Sequence, residues 1–257
     1  MDPRVALAGL IVGMITGMTG IGGSSLLAPV LILVMGVTPT TAVGTDLMYG
    51  VPTKLLAAFV HERQQTVDRR LTIDLAIGGV PGSFAGLGAF AILRSRIPVA
   101  VLQLVIRHAI GIAILCACVA MIAILVLKRR AGARDADASP GGVRRRAVGI
   151  GFVVGVFVAI TSIGAGSVTL PLLLLAFPAF AVRSLIGSEI AFAAIIVPIA
   201  AVGHTSFGNV DWRITTSLLA GSLPGVYLGS RLCLRIDDRP LRAIIFVVLA
   251  YAAYRLL

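Results

Sequence analysis

The sequence predicts an all-α membrane protein that crosses the bilayer several times. Hydrophobic residues make up 58% of its 257 residues and charged residues only 13%, a balance far from that of an average soluble domain. No charged side chain occurs from residue 5 to 45 or from 147 to 182, and each run exceeds the ~20 residues that a helix needs to span a bilayer. Further apolar runs follow both, so we expect a polytopic protein.

Two stretches of the chain repeat each other. Residues 9–29, "GLIVGMITGMTGIGGSSLLAP", align with residues 151–171, "GFVVGVFVAITSIGAGSVTLP", at an offset of 142. One residue later in register, "VGTD" at 43–46 aligns with "IGSE" at 186–189. The sequence therefore predicts two homologous repeats of four hydrophobic segments each, a broken first segment followed by three helices.

A basic linker separates the repeats. Residues 128–146, "KRRAGARDADASPGGVRRR", are polar and include seven Lys or Arg. We expect residues 1–127 to form the first transmembrane repeat and 147–257 the second. The positive-inside rule places the linker in the cytoplasm. The three helices of each repeat are predicted near 42–61, 71–93 and 98–127 and near 183–205, 213–232 and 240–257.

The relative orientation of the repeats depends on the first segment of each, 5–35 and 147–176. If these segments cross the bilayer, the repeats point the same way. If each is a re-entrant hairpin, only three helices per repeat cross and the repeats are inverted. The inverted arrangement leaves more Lys and Arg residues on the cytoplasmic side, so the positive-inside rule favours it.

Glycine-rich breaks interrupt both first segments, "TGIGGSS" at 19–25 and "TSIGAGS" at 161–167. A helix broken at membrane depth exposes backbone N–H and C=O groups, which is costly unless protein or a wet cavity pairs them. In transporters, such breaks direct the positive N-termini of half-helices at an anion near the bilayer midplane. The alternative is close helix packing by small residues, which we expect of the glycines in "GLIVG" (9–13) and "GVYLG" (225–229).

We predict that the two breaks meet at the interface between the repeats and bind a small anion there. Glycine lets the backbone approach a ligand closely, and serine and threonine add hydroxyl donors without a fixed charge. The predicted substrate-binding residues are Gly20, Gly22, Gly23, Ser24, Ser25, Thr45, Lys54, Ser162, Gly164, Gly166, Ser167 and Ser188.

One predicted helix carries three ionisable residues on a single face. Asp46, Lys54 and His61 fall within an arc of about 80° at ~100° per residue. Ionisable groups within a membrane are costly and by default mark an ion or substrate path. The second repeat has Glu189 and His204 at matching positions but no counterpart of Lys54.

These groups are the candidates for coupling and gating. Our hypothesis is that Lys54 attracts the anion, while Asp46 and Glu189 carry protons or lock the broken loops by accepting their N–H groups. Helix N-capping is an equal alternative for the two acids, because "GTD" and "GSE" stand where helices are predicted to begin. For His61 and His204, near the far helix ends, packing at the membrane interface is the competing interpretation.

Three other residues have a structural interpretation. Asp68 in "VDRR" and Asp211 in "VDWR" directly precede predicted helices, so we expect both to be N-caps. Trp212 follows Asp211 and is expected to anchor its helix at the membrane–water interface, where tryptophan is enriched.

Several motifs occur in the same order as in one transporter family. They are the two glycine-rich breaks that end in a proline, "AVGTDLMYGVPTKLLAAFVH" (42–61), the "VDRR" and "VDWR" helix starts, and "GSLPGVYLGSRL" (221–232). Over both halves the chain resembles the TauE/SafE sulfite exporter family. The resemblance implies a multi-pass transporter of the cytoplasmic (inner) membrane that moves small sulfur-containing anions across it, often outward. Ser24 departs from the family pattern, since it stands where a third glycine is common.

We therefore predict a secondary transporter, acting as an exporter, for an anion such as sulfite or an organosulfonate. Protons are the candidate coupling ion, and no cofactor or metal is expected. An anion channel, or a permease for a non-sulfur anion, is the alternative.

Two other classes of protein are less favoured by the sequence. A membrane-embedded enzyme is disfavoured because the sequence has no nucleophile elbow, "HExxH" or P-loop, and we predict that the protein is not an enzyme. The net charge of +11 lies in loops and the linker and aromatic residues are only 6%, so no nucleic-acid partner is predicted.

Overall fold

The computed structural model describes residues 3–19, 24–127, 140–232 and 250–257. In these ranges the regular structure is helical, and residues 250–256 form a short helix at the C-terminus. The longer helices are α1 (Pro3–Thr19), α2 (Ser24–Leu33), α3 (Pro39–Arg63), α4 (Arg69–Arg96), α5 (Val99–Leu127), α6 (Pro140–Thr161), α7 (Thr169–Ala176), α8 (Val182–Ser206) and α9 (Trp212–Leu232).

The helical class predicted from the sequence is confirmed. By length and composition, three helices of the described chain can cross a membrane, and they are Arg69–Arg96, Val99–Ala120 and Val182–Ser206. Each first segment forms two helices, α1 with α2 and α6 with α7. The helix predicted at 240–257 falls partly outside the described residues, which include only its last part, 250–257.

Helix α6 begins earlier than the sequence suggested. Its first residue is Pro140, seven residues before the predicted start of the second repeat. Proline suits the first turn of a helix because its φ is already helical and its missing N–H has no partner to lose there. The linker residues Arg144, Arg145 and Arg146 are therefore helical and exposed, while 128–139 lie outside the described residues.

Two equivalent corners connect α3 to α4 and α8 to α9. Asp68 Oδ1 accepts a 3.0 Å hydrogen bond from the Leu71 N–H. Asp211 Oδ1 accepts from the N–H groups of Arg213 and Ile214. Both aspartates thus pair N–H groups that a helix start leaves without partners, and the predicted N-caps are confirmed.

Glycines bring α1 and α9 into backbone contact. A Cβ built on Gly9 would lie 2.6 Å from the Leu218 carbonyl oxygen, and one on Gly13 would lie 2.6 Å from that of Ser222. From the other side, a Cβ on Gly225 would collide with the Leu10 carbonyl. The predicted packing role of the "GLIVG" glycines and of Gly225 is confirmed.

Helices α4 and α6 make the equivalent contact. A Cβ on Gly78 would collide with the Val148 carbonyl, and one on Gly82 with the Phe152 carbonyl. On helix α6, a Cβ on Gly151 would collide with the Leu75 carbonyl of α4. In both crossings residue numbers rise together on the two helices, so α1 runs parallel to α9 and α4 parallel to α6.

The centre of the molecule is the crossing of α3 and α8. Gly50 lies against Val197, and Lys54 lies beside Glu189, so residue numbers rise on one helix as they fall on the other and the two helices run antiparallel. Large apolar side chains on the outer faces, such as Leu56 and Phe84, are exposed. An apolar outer surface of this kind suits a bilayer, whose acyl chains are as apolar as leucine.

Candidate functional site

The second break, residues 162–168, connects α6 to α7 through an unusual backbone. Ser162 has φ of 60°, Gly164 of 140° and Gly166 of 124°. Glycine adopts such angles without cost, whereas a serine at positive φ is held there against its own preference by its surroundings. The predicted break is therefore a defined loop within the described chain, and it lies beside α3.

Asp46 holds this loop. The Ser162 hydroxyl donates a 2.6 Å hydrogen bond to Asp46 Oδ2, and both residues are buried. The other carboxylate oxygen, Oδ1, has no hydrogen-bond partner among the described residues. The predicted N-cap alternative is wrong for Asp46, because α3 begins at Pro39 and the aspartate lies about two turns inside the helix.

Lys54 links the same loop to α8. Its ammonium donates a 3.1 Å hydrogen bond to the Ala165 carbonyl and lies 3.8 Å from Glu189 Oε1. That second distance is too long for a hydrogen bond but short enough for an ion pair. Glu189 lies two turns inside α8, which begins at Val182, so N-capping is wrong for this acid too.

A small cavity lies within this group of charges. Asp46, Gly50 and Lys54 line it from α3, Ser162 from the loop and Val197 from α8. Its volume is about 10 Å³, which is room for about one water molecule. This cavity is thus too small for any solute larger than water, and an anion would need the loop or a side chain to move to enter it.

The loop offers unpaired hydrogen-bond donors. No described backbone carbonyl accepts from the N–H groups of residues 164–168, and the buried Ser167 hydroxyl has no partner among the described residues either. The Gly164 carbonyl accepts hydrogen bonds from the N–H and the hydroxyl of Thr169, the first residue of α7. Free donors at the start of a helix form a ready site for an anion.

Thr45 and Ser188 occupy equivalent corners and are already hydrogen-bonded. The Thr45 hydroxyl accepts from the Asp211 N–H at 3.1 Å, and the Ser188 hydroxyl accepts from the Asp68 N–H at 2.9 Å. Each hydroxyl therefore binds a corner in the other half of the chain. Neither lines the small cavity, so the structure does not bring these two predicted site residues together with Lys54.

The histidines lie in the last turns of α3 and α8, as expected. His204 is fully buried, with Nε2 2.8 Å from the Ala159 carbonyl and Nδ1 3.2 Å from the Asn209 amide nitrogen. A carbonyl only accepts and an amide NH₂ only donates, so the proton is on Nε2. His204 thereby donates a hydrogen bond to a carbonyl near the end of α6, which the break leaves without a helical N–H partner. His61 is half-buried and hydrogen-bonds to Thr66.

The remaining predicted site residues belong to the first break. Gly20, Gly22 and Gly23 lie outside the described residues, as do the side chains of Ser24 and Ser25, which open α2. The described part of the site therefore comes from the second break and from the two central helices. The predicted residues that the structure gathers there are Asp46, Lys54, Ser162, Gly164, Gly166, Ser167 and Glu189.

Two contributors were missed by sequence reasoning. Ala165 accepts the Lys54 hydrogen bond through its backbone carbonyl. Because every residue has such a carbonyl, the sequence could not indicate which one Lys54 would bind. Asn209 supports His204, and its spacing offered a clue. It follows His204 by five residues, as Thr66 follows His61.

Comparisons with known proteins give one family and several relatives. The family model for the sulfite exporter TauE/SafE matches residues 5–256. The chain is 35% identical to the probable membrane transporter protein YjnA of Bacillus subtilis (strain 168), over all of both chains. It is 28% identical to YdhB of the same organism, another probable membrane transporter protein, over 98% of this chain and 99% of the relative.

A more distant relative comes from another organism. The chain is 24% identical to a probable membrane transporter protein of Xylella fastidiosa (strain 9a5c), over 96% of this chain and 93% of the relative. No solved structure matches the chain.

Proposed function

The chain belongs to the sulfite exporter TauE/SafE family, and from this premise we propose that it is a secondary transporter and not an enzyme. The proposed substrate is a small sulfur-containing anion such as sulfite or an organosulfonate, which the protein exports. Family membership and the apolar helices make it a multi-pass membrane protein. The relatives' names give no substrate, so the substrate rests on the family description and on the chemistry of the site.

The observation that carries the proposal is the meeting of unpaired donors and one buried ammonium at the second break. The N–H groups of 164–168 and the Ser167 hydroxyl have no described partner, and Lys54 bonds to the same loop. Broken helices in transporters present such groups to anionic substrates near the midplane. A sulfite or sulfonate group offers several acceptor oxygens to them.

We infer that the two repeats are inverted. Helix α3 runs antiparallel to its equivalent α8, and each reverses direction at its corner, so α4 also runs opposite to α9. Because α1 is parallel to α9 and α6 to α4, the first helices of the two repeats oppose each other as well. Inverted repeats with broken helices at their interface are a recurring transporter architecture.

The inverted arrangement also gathers positive charge on one side. Helix ends that share this side carry exposed arginines, and the opposite helix ends carry fewer. We assign the richer side to the cytoplasm, together with the linker, by the positive-inside rule. The arginines of the richer side are Arg63, Arg69, Arg70, Arg144, Arg145, Arg146 and Arg183, and those described at the opposite ends are Arg94, Arg96, Arg213 and Arg255.

Protons are the proposed coupling ion. Asp46 and Glu189 are buried acids, and Lys54 is the neighbouring cation in the described site. An entering anion adds negative charge to a group that already has two carboxylates for one ammonium. A proton on one carboxylate would remove this excess, and intramembrane acids commonly serve as proton relays.

Flux measurements on the purified protein in liposomes test the function. Labelled sulfite, thiosulfate, a sulfonate and chloride are each supplied with and without a pH gradient. Saturable uptake of a sulfur anion against its gradient supports the transporter. Non-saturating passive chloride flux would favour the channel alternative, and the absence of flux for all four anions would contradict the proposal.

A further inference from the structure

The polar contacts of Lys54 with described residues are to acceptors. Its ammonium donates to the Ala165 carbonyl and faces the Glu189 carboxylate, and its side chain is 11% exposed. The place beside the ammonium that an anion would occupy is therefore already taken by a negative group of the protein itself. An anion that binds the ammonium on this side must displace the carboxylate.

Glu189 is the acid of the described site that pairs with Lys54. Its Oε1 lies 3.8 Å from Lys54 and has no hydrogen-bond partner among the described residues. Asp46, at the equivalent position of the first repeat, is bound by the short hydrogen bond from Ser162. Because Glu189 Oε1 faces the ammonium without a direct hydrogen bond to it, this contact lacks the strongest geometry available to a charged pair, so another anion can compete for the cation.

We propose that the Glu189 carboxylate is a place-holder for the transported anion. It neutralises Lys54 when the site is empty. When the loop opens, the carboxylate moves away and the oxyanion pairs with Lys54 instead. This inference rests on the proposed transport function and assigns different roles to two equivalent acids. Asp46 keeps hold of the loop, while Glu189 is displaced.

The proposed exchange of Glu189 for the anion takes place at Lys54, which has no counterpart in the second repeat. Val197 stands where the second repeat would carry a lysine, and it lines the cavity with an apolar side chain. The anion therefore has one ammonium to bind, and Glu189 is the carboxylate within ion-pair distance of it. Removing the charge of Glu189 should favour anion binding, whereas removing that of Lys54 should oppose it.

Half-saturation concentrations for labelled sulfite in proteoliposomes test the exchange. We expect Glu189→Gln to lower the half-saturation concentration about tenfold, because a charge-assisted hydrogen bond that no longer faces a competitor is worth this much. Lys54→Gln should raise it about tenfold or more. The double variant should resemble Lys54→Gln. Glu62→Gln removes an exposed carboxylate of α3, paired with Arg69 at the surface, and should change nothing.

Thermal unfolding in detergent separates binding from folding. Lys54→Gln leaves two buried acids without their cation, so its unfolding temperature should fall, and adding Glu189→Gln should recover part of the loss. If the wild type accumulates sulfite and folded Glu189→Gln leaves the half-saturation concentration unchanged or raises it, the place-holder role is wrong and the transporter stands. If the wild type accumulates none of the four anions, the transport function itself fails, and the place-holder role with it.

Discussion

The Ser162 hydroxyl and the Asp46 carboxylate form a 2.6 Å hydrogen bond between the two halves of the chain. Ser162 belongs to the break between α6 and α7 and Asp46 to α3, and both are shielded from solvent. The bond holds a serine at a φ of 60°, a conformation that costs about 1 kcal/mol or more. The shape of the break thus depends on a contact with the first half of the chain.

Replacing Ser162 by alanine should destabilise the protein. The variant keeps the positive φ but leaves both oxygens of Asp46 without a hydroxyl donor, and a hydrogen bond to a charged group is worth about 1.5–3 kcal/mol. We expect a lower unfolding temperature in detergent and reduced sulfite flux. Ser95→Ala removes a hydroxyl that bonds only to the exposed end of α4 and should leave both quantities unchanged. Wild-type stability in Ser162→Ala would show that the bond is not needed to hold the break.

Replacing Asp46 by asparagine tests proton coupling. Asparagine can still accept a hydrogen bond from Ser162 but can no longer exchange a proton, while Lys54 and Glu189 remain in place. We expect sulfite accumulation in liposomes to stop responding to a pH gradient. Asp74→Asn is the matched control, because this acid pairs with Arg144 on another helix and should retain the response. A normal response in Asp46→Asn would eliminate this residue as the proton carrier.

Glycine contacts make a sharp packing prediction within a single helix. In α6, a Cβ on Gly151 would collide with the Leu75 carbonyl of α4, whereas one on Gly149 would meet no atom within 4 Å. Gly151→Ala should therefore cost about 1–3 kcal/mol through overpacking and lower the unfolding temperature. Gly149→Ala should be neutral or slightly stabilising, since alanine is the better helix former by about 1 kcal/mol. Equal effects of the two substitutions would contradict the observed crossing.

The sequence could predict which residues are equivalent but not which ones meet. Spacing placed Asp46 and Lys54 on one face of a helix, and the structure has them lining one cavity. The partner of Asp46, Ser162, lies 116 residues away on a backbone turn that no local pattern specifies. The Ala165 carbonyl was equally hidden, because backbone groups carry no residue identity.

The N-cap alternative for Asp46 and Glu189 was wrong for a reason that the sequence contains. Helix α3 begins at Pro39, after Thr38, and proline favours the first helical position. The "GTD" pattern resembled a cap because glycine, threonine and aspartate are all common at helix starts. Thr45 is instead used by the opposite repeat, whose Asp211 N–H it accepts, and such long-range use is invisible in local sequence.

Labelling of equivalent corners from one side of the membrane tests the inverted topology. Arg69 and Trp212 are the first residues of α4 and α9, they are exposed, and they occupy matching positions of the two repeats. With the three native cysteines replaced by serine, a membrane-impermeant maleimide added to intact cells should label Trp212→Cys, because this corner lies outside. Arg69→Cys should react only after the membrane is permeabilised, because the arginine-rich side is cytoplasmic. Labelling of both corners from the same side would mean parallel repeats, and the assignment of the basic side, which rests on the helix directions, would have to be abandoned.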